Sequence, residues 1–322
     1  MNQTVKEIGK KLVGLIPSKI WLSYRFKKKF GRPIDWKNPT TYNEKLQWLK
    51  LYNRRPEYTT MVDKYEVKKY VAERIGEQYI IPTLGVWDKF DDIDFDALPD
   101  QFVLKCTHDS GGLIIVRDKS KLDREAARKM FRMALGRNHY SVNREWPYKN
   151  VKPRIIAEQY MEDEKTAELR DDKTLSFSEE AISCERLQIE QGLLDYKFMC
   201  FDGQVKALFL DIGVVGKGEG HAEQYYRNVY NRDGEPQLIK ETREHYPQNV
   251  ILPQNFSDMV AIAERLSQGV PHLRVDLYRL NNGEIKVGEL TFFHGSGLSN
   301  IFDPPEWDRI FGDWIELPKK QK

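Results

Sequence analysis

The sequence RVDLYRLNNGEIKVGEL, residues 274–290, reads as a β-hairpin that carries two acidic residues. Asn282-Gly283 is a strong signal for a two-residue type I′ turn, whose central positions both need positive φ. With this loop Asp276 lies opposite Glu289, and opposed side chains share one face of a sheet. A three-residue loop over 281–283 would instead put the acids on opposite faces. The register of this hairpin therefore decides whether the two acids form a site.

Two opposed carboxylates need a positive charge nearby. At a separation of about 5 Å and an effective dielectric near 20, they repel by roughly 3 kcal/mol. Mg²⁺ is the obvious partner, because it favours one or two carboxylates together with substrate phosphates. A solvated strand face is the alternative interpretation. In the same register Arg274 lies opposite Thr291, on the face of the acids and one cross-strand pair away.

Composition and cysteine spacing are those of an ordinary globular protein. The chain has 322 residues, enough for a sizeable core and two or three lobes. Cys106, Cys184 and Cys200 lack zinc or CxxC spacing, which favours a reduced compartment. The sequence shows neither a secretory signal nor an apolar run of about 18 residues. We therefore expect a cytoplasmic protein, with peripheral attachment to the inner face of the membrane as a further option.

The N-terminal segment, residues 1–32, is basic although the net charge of the whole chain is only +2. It holds nine lysines and arginines against one acid, Glu7, and interleaves them with apolar residues. A basic amphipathic segment with an interfacial tryptophan, here Trp21, is suited to anionic lipid. A helix packed on the body with solvated lysines is the alternative. We expect no nucleic-acid partner, since no recognition motif accompanies the charge.

Helices and hairpins are mixed along the rest of the chain. Thr41 and Glu44 form a capping-box pattern that begins one helix, and a second helix is expected across 62–75. Asp202-Gly203 marks the turn of a second hairpin. Residues 162–190 and the glycine-rich segment 213–221 read as loops. This mixture predicts an α+β fold with antiparallel sheets.

A second candidate ligand site lies in FVLKCTHDSGGLIIV, residues 102–116. Gly111 and Gly112 allow backbone amides to approach a ligand closely. Lys105, on the preceding strand, supplies the kind of point charge that binds phosphate. The segment lacks the P-loop pattern, and a plain hairpin loop is the alternative interpretation of this stretch alone.

The order of these motifs resembles the ATP-grasp superfamily, which includes carboxylate–amine ligases such as D-alanine–D-alanine ligase. The resemblance is closer still to the bacterial TupA-type family, associated with teichuronic acid and other surface polysaccharides. The phrases TYNEKLQWLKLYNR, VDKYEVKKYV, FVLKCTHDSGG and RVDLY…GELTF carry it. It implies two α+β lobes whose antiparallel sheets clasp ATP. The implied limits are a basic helical extension over 1–58 and an ATP-grasp domain over 59–318, with an ATP-clamping lobe at about 100–162.

The resemblance also implies ATP and Mg²⁺ as ligands and a role for each matching residue. The implied phosphate contacts are Lys64, Lys105 and Lys197, under a mobile loop of His108, Asp109, Ser110, Gly111 and Gly112. The implied adenine hinge is Glu158, Gln159, Tyr160 and Met161, with Asp195 at the ribose. The implied Mg²⁺ ligands are Asp276, Glu289 and Thr291, the last a departure from the asparagine common in relatives. Arg274 matches the arginine that stabilises the transferred phosphate, so Arg274 and Lys105 are the predicted catalytic residues.

The reaction implied by the resemblance is an ATP-dependent carboxylate–amine ligation through an acyl phosphate. The expected carboxylate is a uronic acid of a bacterial surface polysaccharide, and the second substrate is an amine. A sugar kinase with the same fold and a non-catalytic scaffold in polysaccharide biosynthesis are the alternatives. The αβ domain that usually precedes the grasp has no counterpart in the sequence, so substrate-binding residues cannot be transferred from relatives that use it.

Overall fold

The computed structural model describes residues 14–109, 111–161, 180–214, 222 and 224–319. The helices of this part are α1 (Ser18–Phe30), α2 (Tyr42–Tyr52), α3 (Glu57–Val62), α4 (Val67–Ile75), α5 (Arg124–Leu135), α6 (His139–Asn143), α7 (Cys184–Gln191), α8 (Phe256–Ser267) and α9 (Trp307–Asp313). Its strands are β1 (Thr83–Trp87), β2 (Phe102–Cys106), β3 (Leu113–Val116), β4 (Ile155–Gln159), β5 (Ala181–Ser183), β6 (Asp195–Phe201), β7 (Gln204–Ile212), β8 (Tyr226–Tyr230), β9 (Pro236–Gln237), β10 (Lys240–Glu241), β11 (Asn249–Ile251), β12 (Leu273–Arg279), β13 (Ile285–Thr291) and β14 (Phe302–Asp303).

Two antiparallel sheets define two lobes. The larger sheet has six strands in the order β13-β12-β6-β7-β8-β9, and the smaller has four in the order β1-β4-β2-β3. Helix α8 packs on the larger sheet and α5 on the smaller one, and each sheet has its own apolar core. The predicted α+β architecture with antiparallel sheets in two lobes is therefore confirmed. Among the described residues, no helix is both long and apolar enough to cross a bilayer.

The smaller lobe begins earlier in the chain than the limit of about 100 suggests. Its edge strand β1, Thr83–Trp87, pairs with β4, and Phe90 and Phe95 belong to its core. The sequence TLGVW is short and interrupted by a glycine, so it carries a weak strand signal. The limits of the lobes otherwise remain predictions.

Helix α2 is part of the core of the larger lobe. Thr41 and Glu44 form the predicted capping box at its start. Tyr42 and Leu46 are fully buried and pack in the same apolar core as the large sheet. Helix α1, in contrast, buries Phe26 in a small separate cluster. The predicted extension over 1–58 therefore contains two helices with different degrees of attachment.

The helix expected across 62–75 is wrong in its first turn, because α3 ends at Val62 and α4 begins at Val67. Helices α3 and α4 are separated by a turn in which Asp63 Oδ1 accepts hydrogen bonds from the N–H groups of Tyr65 and Glu66, at 2.9 and 3.3 Å. Aspartate side chains compete with helical hydrogen bonding in this way. Lys64 therefore leaves the helix, and its backbone N–H donates to the carbonyl of Thr107 at 3.1 Å.

Residues 180–191 correct the expectation of a loop across 162–190. Strand β5 pairs in parallel with β11, and α7 follows with Ser183 as its cap. Residues 162–179, and residues 215–221 of the glycine-rich segment, lie outside the described residues.

The turn between β12 and β13 differs from the predicted one. The N–H of Leu280 donates to the carbonyl of Glu284 at 2.8 Å, which closes a three-residue loop. Gly283 has the positive φ, 92°, that such loops place at their last residue. The two-residue type I′ turn was therefore wrong.

The predicted pairing of the acids is nevertheless confirmed. A β-bulge at Gly288 shifts the register by one residue, so Asp276 lies opposite Glu289 and Arg274 opposite Thr291. A Cβ at Gly288 would lie 2.8 Å from a ring carbon of Tyr278, so the bulge needs a residue without a side chain. Two one-residue deviations, one at the turn and one at the bulge, cancel.

Candidate active site

A cavity of about 160 Å³ lies between the two sheets. Apolar side chains of both lobes form its walls, among them Val103 and Ile115 from the smaller sheet and Tyr278 and Leu280 from the larger. The predicted nucleotide-binding residues that line it are Lys105, Glu158, Gln159, Tyr160, Met161 and Asp195. The cavity therefore brings the predicted hinge together with the predicted ribose and phosphate contacts, in an apolar slot suited to a planar ring.

Glu158 is held between two lysines at the edge of this cavity. Lys105 Nζ lies 2.7 Å from Oε2, and Lys68 Nζ lies 2.7 Å from Oε1. Burial opposes ionisation of Glu158, but the two ammonium groups outweigh it and hold its pKa below the ordinary value. Sequence reasoning missed Lys68, since nothing in VKKYV distinguishes it from the exposed Lys69. The ion triplet joins α4 to the smaller sheet.

Arg274 bridges the acidic pair of the β12–β13 hairpin. Its Nε donates to Asp276 Oδ1 at 2.6 Å, and its Nη2 donates to Asp276 Oδ2 at 2.6 Å and to Glu289 Oε1 at 2.7 Å. All three groups stand on one face of the large sheet, as the pairing predicts. The positive charge that the sequence argument sought between the acids is thus supplied by a guanidinium on the same strand.

Two lysines complete the charge around the acids. Lys197 Nζ lies 3.2 Å from Asp276 Oδ2 and also contacts Asp195, while Lys64 Nζ lies 3.6 Å from Glu289 Oε2. Burial disfavours the carboxylate of Glu289, but Lys64 and the neighbouring cations lower its pKa far below the ordinary value. The face therefore keeps Glu289 ionised and places cations suited to phosphate on both sides of the acids.

Asp195 links the cavity to this charged face. Burial raises its pKa to about 6 against the opposing effect of Lys197. Its Oδ1 has no hydrogen-bond partner among the described residues, although the residue lines the cavity wall. A buried acceptor without a partner at a cavity wall is suited to a ligand hydroxyl.

The acidic residues fit a nucleotide-bound Mg²⁺ better than a metal held by protein alone. Asp276 and Glu289 supply two carboxylates, and Thr291 donates its hydroxyl to Glu289 Oε1 at 3.3 Å. Over the residues that the structure describes, no cluster of three or more His, Cys, Asp or Glu could hold a metal ion. Mg²⁺ typically takes only one or two carboxylates and completes its shell with phosphate oxygens and water.

The predicted phosphate loop is tied to the smaller lobe by packing. A Cβ at Gly112 would lie 2.7 Å from Cys106 Sγ, so packing alone explains why this position needs a glycine. The ring of His108 is buried, and its Nε2 lies 3.3 Å from the carbonyl of Ala134 on α5. Its side chain thus packs on α5, while Ser110 lies outside the described residues.

The sequence model of the TupA-like ATP-grasp family matches residues 44–186 and 178–316. The chain belongs to this family. No curated protein matches the TupA-like chain in sequence. The L-amino acid ligase from Bacillus licheniformis is one similar solved structure, with 14% identity, a TM-score of 0.44, and coverage of 80% of this chain and 50% of that one. The D-alanine–D-alanine ligase from Bacillus anthracis has 16% identity, a TM-score of 0.35, and coverage of 72% and 55%. The TupA-like chain thus spans about half the length of these ligases.

Three further charged residues of the TupA-like protein stand beside the predicted set: Asp211, Arg227 and Glu241. Arg227 donates to Asp211 through Nε at 2.6 Å and Nη2 at 2.7 Å, and it also contacts Glu241. Asp211 lies opposite Asp195 on β6 and β7. Sequence reasoning missed it because a bulge in β7 shifts the pairing by one residue from the register that the Asp202-Gly203 turn predicts.

Proposed function

We propose that this TupA-like protein is an ATP-dependent carboxylate–amine ligase. One observation carries the proposal: the apolar cavity and the acidic hairpin are joined through Asp195 and Lys197. Asp195 lines the cavity, and Lys197 contacts both Asp195 and Asp276. A nucleotide with its base in the apolar slot would therefore direct its phosphates towards the face that holds Arg274 and Glu289.

The proposed reaction has two steps. A carboxylate oxygen of the substrate takes the terminal phosphoryl group of ATP, and ADP leaves. The nitrogen of an amine then attacks the acyl carbon, so that a C–N bond forms, the C–O bond to phosphate breaks, and phosphate leaves as the amine gives up a proton. Each step moves negative charge onto oxygens that fixed cations can stabilise.

The residues divide the proposed work by the geometry of their charges. Lys105, Lys64 and Lys197 supply point charges to phosphate oxygens. Arg274, whose Nε and Nη2 contact the two acids, places a fixed positive charge beside the position proposed for the phosphoryl group. Asp276 and Glu289 would hold Mg²⁺, which would supply further positive charge to the phosphoryl oxygens. The apolar cavity walls would exclude water from the reactive acyl phosphate.

We propose a uronic acid of a surface polysaccharide as the carboxylate. This choice rests on the association of TupA-type proteins with teichuronic acid and not on a contact in the structure. The test is an ADP-release screen of uronic acids against amino acids and amino alcohols. ADP release that requires a carboxylate and an amine together supports ligation, whereas release with a neutral sugar alone supports the sugar kinase.

The substitution Asp276→Asn separates an enzyme from a scaffold. It removes one carboxylate charge at nearly constant volume, and we expect ADP release to fall by roughly 100-fold or more. Asp233→Asn is the matched control, since that carboxylate is 76% exposed beside Arg232. Equal activity of Asp276→Asn and the control would contradict a catalytic role for the hairpin.

We also propose that α1 binds an anionic membrane surface, where a lipid-linked polysaccharide precursor would be found. Leu15, just before α1, is 81% exposed, Ile20 and Tyr24 on the helix are 61% and 56% exposed, and basic residues occupy its last turn. Trp21 does not belong to this surface, because its Nε1–H donates to the carbonyl of Val142 at 2.7 Å. The interfacial tryptophan expected from the sequence instead attaches α1 to the body.

Vesicle co-sedimentation tests the membrane proposal. The full chain should bind vesicles that contain phosphatidylglycerol and not vesicles of phosphatidylcholine alone. Replacing Lys27, Lys28 and Lys29 by glutamine should reduce binding at least tenfold, because each basic residue near an anionic surface contributes about 1 kcal/mol. Replacing the exposed Lys69, Lys89 and Lys129 by glutamine, away from α1, is the control of equal charge. Unchanged binding of the α1 variant would refute the proposal.

A further inference from the structure

A closed ring of buried polar and charged residues lies next to the acidic hairpin. The ring runs through Arg274, His294, Glu241, Arg227, Asp211, Lys197 and Asp276 and returns to Arg274. It contains three cations and three carboxylates, with one imidazole between them. Such a balance leaves no net buried charge, which would otherwise be costly.

We propose that His294, whose Nε2 faces Glu241, is a positioning residue for the Arg274 guanidinium in the phosphoryl-transfer step. The expected kinetic effect rests on the proposed function, whereas the contacts of His294 do not depend on it. Arg274 uses Nε and Nη2 for the two acids, and its remaining edge donates from Nη1 to His294 Nδ1 at 2.9 Å. The guanidinium is therefore fixed on the side away from the acids by a single contact.

The contact defines which nitrogen of His294 carries the proton. Because Arg274 has no acceptor, it must donate, so Nδ1 accepts and the proton of a neutral imidazole lies on Nε2. His294 Nε2 lies 3.8 Å from Glu241 Oε2 and has no hydrogen-bond partner among the described residues. Burial lowers the pKa of this imidazole against the opposing pull of Glu241, which is consistent with a neutral ring.

Glu241 is itself held by the far side of the ring. Arg227 contacts Glu241 and grips Asp211 through two hydrogen bonds of 2.6 and 2.7 Å. Burial opposes the ionisation of Glu241, but the polar groups that face it, His294 and Arg227, outweigh burial and lower its pKa. The imidazole thus faces a permanent negative charge on one side and a guanidinium on the other, which leaves it one stable orientation.

The consequence for catalysis follows from the precision that the step needs. A misplacement of about 1 Å in a group that contacts the reacting atoms can cost roughly 100-fold in rate. Without His294, Arg274 would keep its acids but lose the contact that fixes the third edge of its fork. The loss should therefore appear in the rate of the chemical step and not in the binding of ATP.

Kinetics of two substitutions at one position test this role. His294→Leu removes the acceptor, and we expect kcat for ADP release to fall 10- to 100-fold, with KM for ATP within about twofold of the parent value. His294→Asn places an amide oxygen near the position of Nδ1 and should recover most of the loss. His245→Asn is the control, since His245 Nε2 lies 2.8 Å from the carbonyl of Ile239, outside the ring. Equal kcat of the Leu variant and the parent, or a change in KM alone, would overturn the inference.

A spectroscopic measurement on the unmodified protein keeps the inference testable if the Leu variant fails to fold. In NMR spectra of protein with ¹⁵N-labelled histidine at pH 7, the signals of His294 should be those of a neutral ring with the proton on Nε2. The substitution Arg274→Lys should shift both ring-nitrogen signals of His294. A ring protonated on Nδ1 would overturn the inference even if ADP release is normal. Conversely, absence of ADP release with the expected tautomer would refute the proposed function and leave the ring geometry intact.

Discussion

Two buried networks meet at the turn of residues 294–297, and they stabilise a buried positive charge in different ways. The ring around Arg274 ends on His294 and pairs each buried cation with carboxylates. Two residues later, Lys50 Nζ donates to the carbonyl of Ser296 at 2.7 Å and to Gln47 Oε1 at 3.1 Å, which are neutral acceptors. Both networks bury a positive charge completely, but only the first provides it with opposite charges in contact.

The difference is visible in the pKa values of two buried lysines. For Lys197 burial favours the neutral amine, but Asp195 and Asp276 outweigh it and raise the pKa above the ordinary value. For Lys50 burial is opposed only by the more distant Glu145, and the pKa falls to about 8. Carboxylate contact, and not burial as such, therefore decides whether the pKa of a buried amine rises above or falls below its ordinary value.

The second network holds an unusual backbone. Gly295, Ser296 and Gly297 all have φ near +55°, and Ser296 pays a conformational cost there because it has a Cβ. Its hydroxyl donates to Glu145, and its carbonyl accepts from Lys50. The anchor therefore stabilises the left-handed turn that presents His294 to the ring.

The largest effect is expected from breaking the ring at Arg274. Arg274→Lys keeps one positive charge but replaces a fork that contacts Asp276, Glu289 and His294 by a single ammonium. We expect ADP release to fall roughly 100- to 1000-fold, as for loss of one preorganised donor, and the unfolding free energy to fall by about 3 kcal/mol. Activity assays and urea unfolding measure both. Arg232→Lys, in an exposed pair with Glu264, should change neither ADP release nor the unfolding free energy. An Arg274→Lys variant with the activity of the parent would show that the reaction does not need the guanidinium.

An intermediate effect is expected from pH at Lys50. Its pKa in the folded chain, about 8, lies below the ordinary 10.5, so the unfolded chain binds more protons between these values. The unfolding free energy therefore gains up to about 1.4 kcal/mol per pH unit from Lys50 as pH rises above 8, and gains nothing from it at lower pH. Urea unfolding at pH 7 to 10 should show this slope as the difference between the parent and Lys50→Met. Parallel curves would mean that Lys50 is not the source, and the exposed Lys69→Met should show no such difference.

The smallest effect is expected from Ser296. Ser296→Gly relieves the strained φ, whereas Ser296→Ala keeps it, and both lose the hydrogen bond to Glu145. We expect the glycine variant to be more stable than the alanine variant by about 1 kcal/mol. Ser120 has a negative φ in an exposed turn, and there the order should reverse. Thermal unfolding of the four variants measures these stability differences. A glycine variant that is less stable than the alanine variant at both positions would contradict a strained turn at Ser296.

The two hairpins show what the sequence could and could not predict. Asp276 was correctly placed opposite Glu289, yet the turn was wrong and the bulge at Gly288 restored the pairing. An isolated glycine inside a strand is a known sign of a bulge, so this one could have been found. The bulge in β7 falls beside Lys206 and has no such residue, and the position of Asp211 could not be read from the turn alone.

The helices show the same limit for contacts between distant segments. The capping box at Thr41 was predicted because it is local, whereas the helix break at Asp63 depends on a side chain that prefers the turn to the helix. That break determines how Lys64 and Lys68 reach the two carboxylate sites. The ring partners Arg227 and Glu241 lie on strands with no motif, and only the folded sheet brings them to Arg274.

The burial of α2 also limits where the protein can be cut. Tyr42 donates its hydroxyl to the buried His272 Nε2 at 2.9 Å, and Gly312 on α9 has no room for a side chain beside the backbone of Thr40. A chain that began at residue 59 would open a solvent-filled hole between the sheet and α9. A detachable membrane tether, if the N-terminus is one, must therefore end before residue 40.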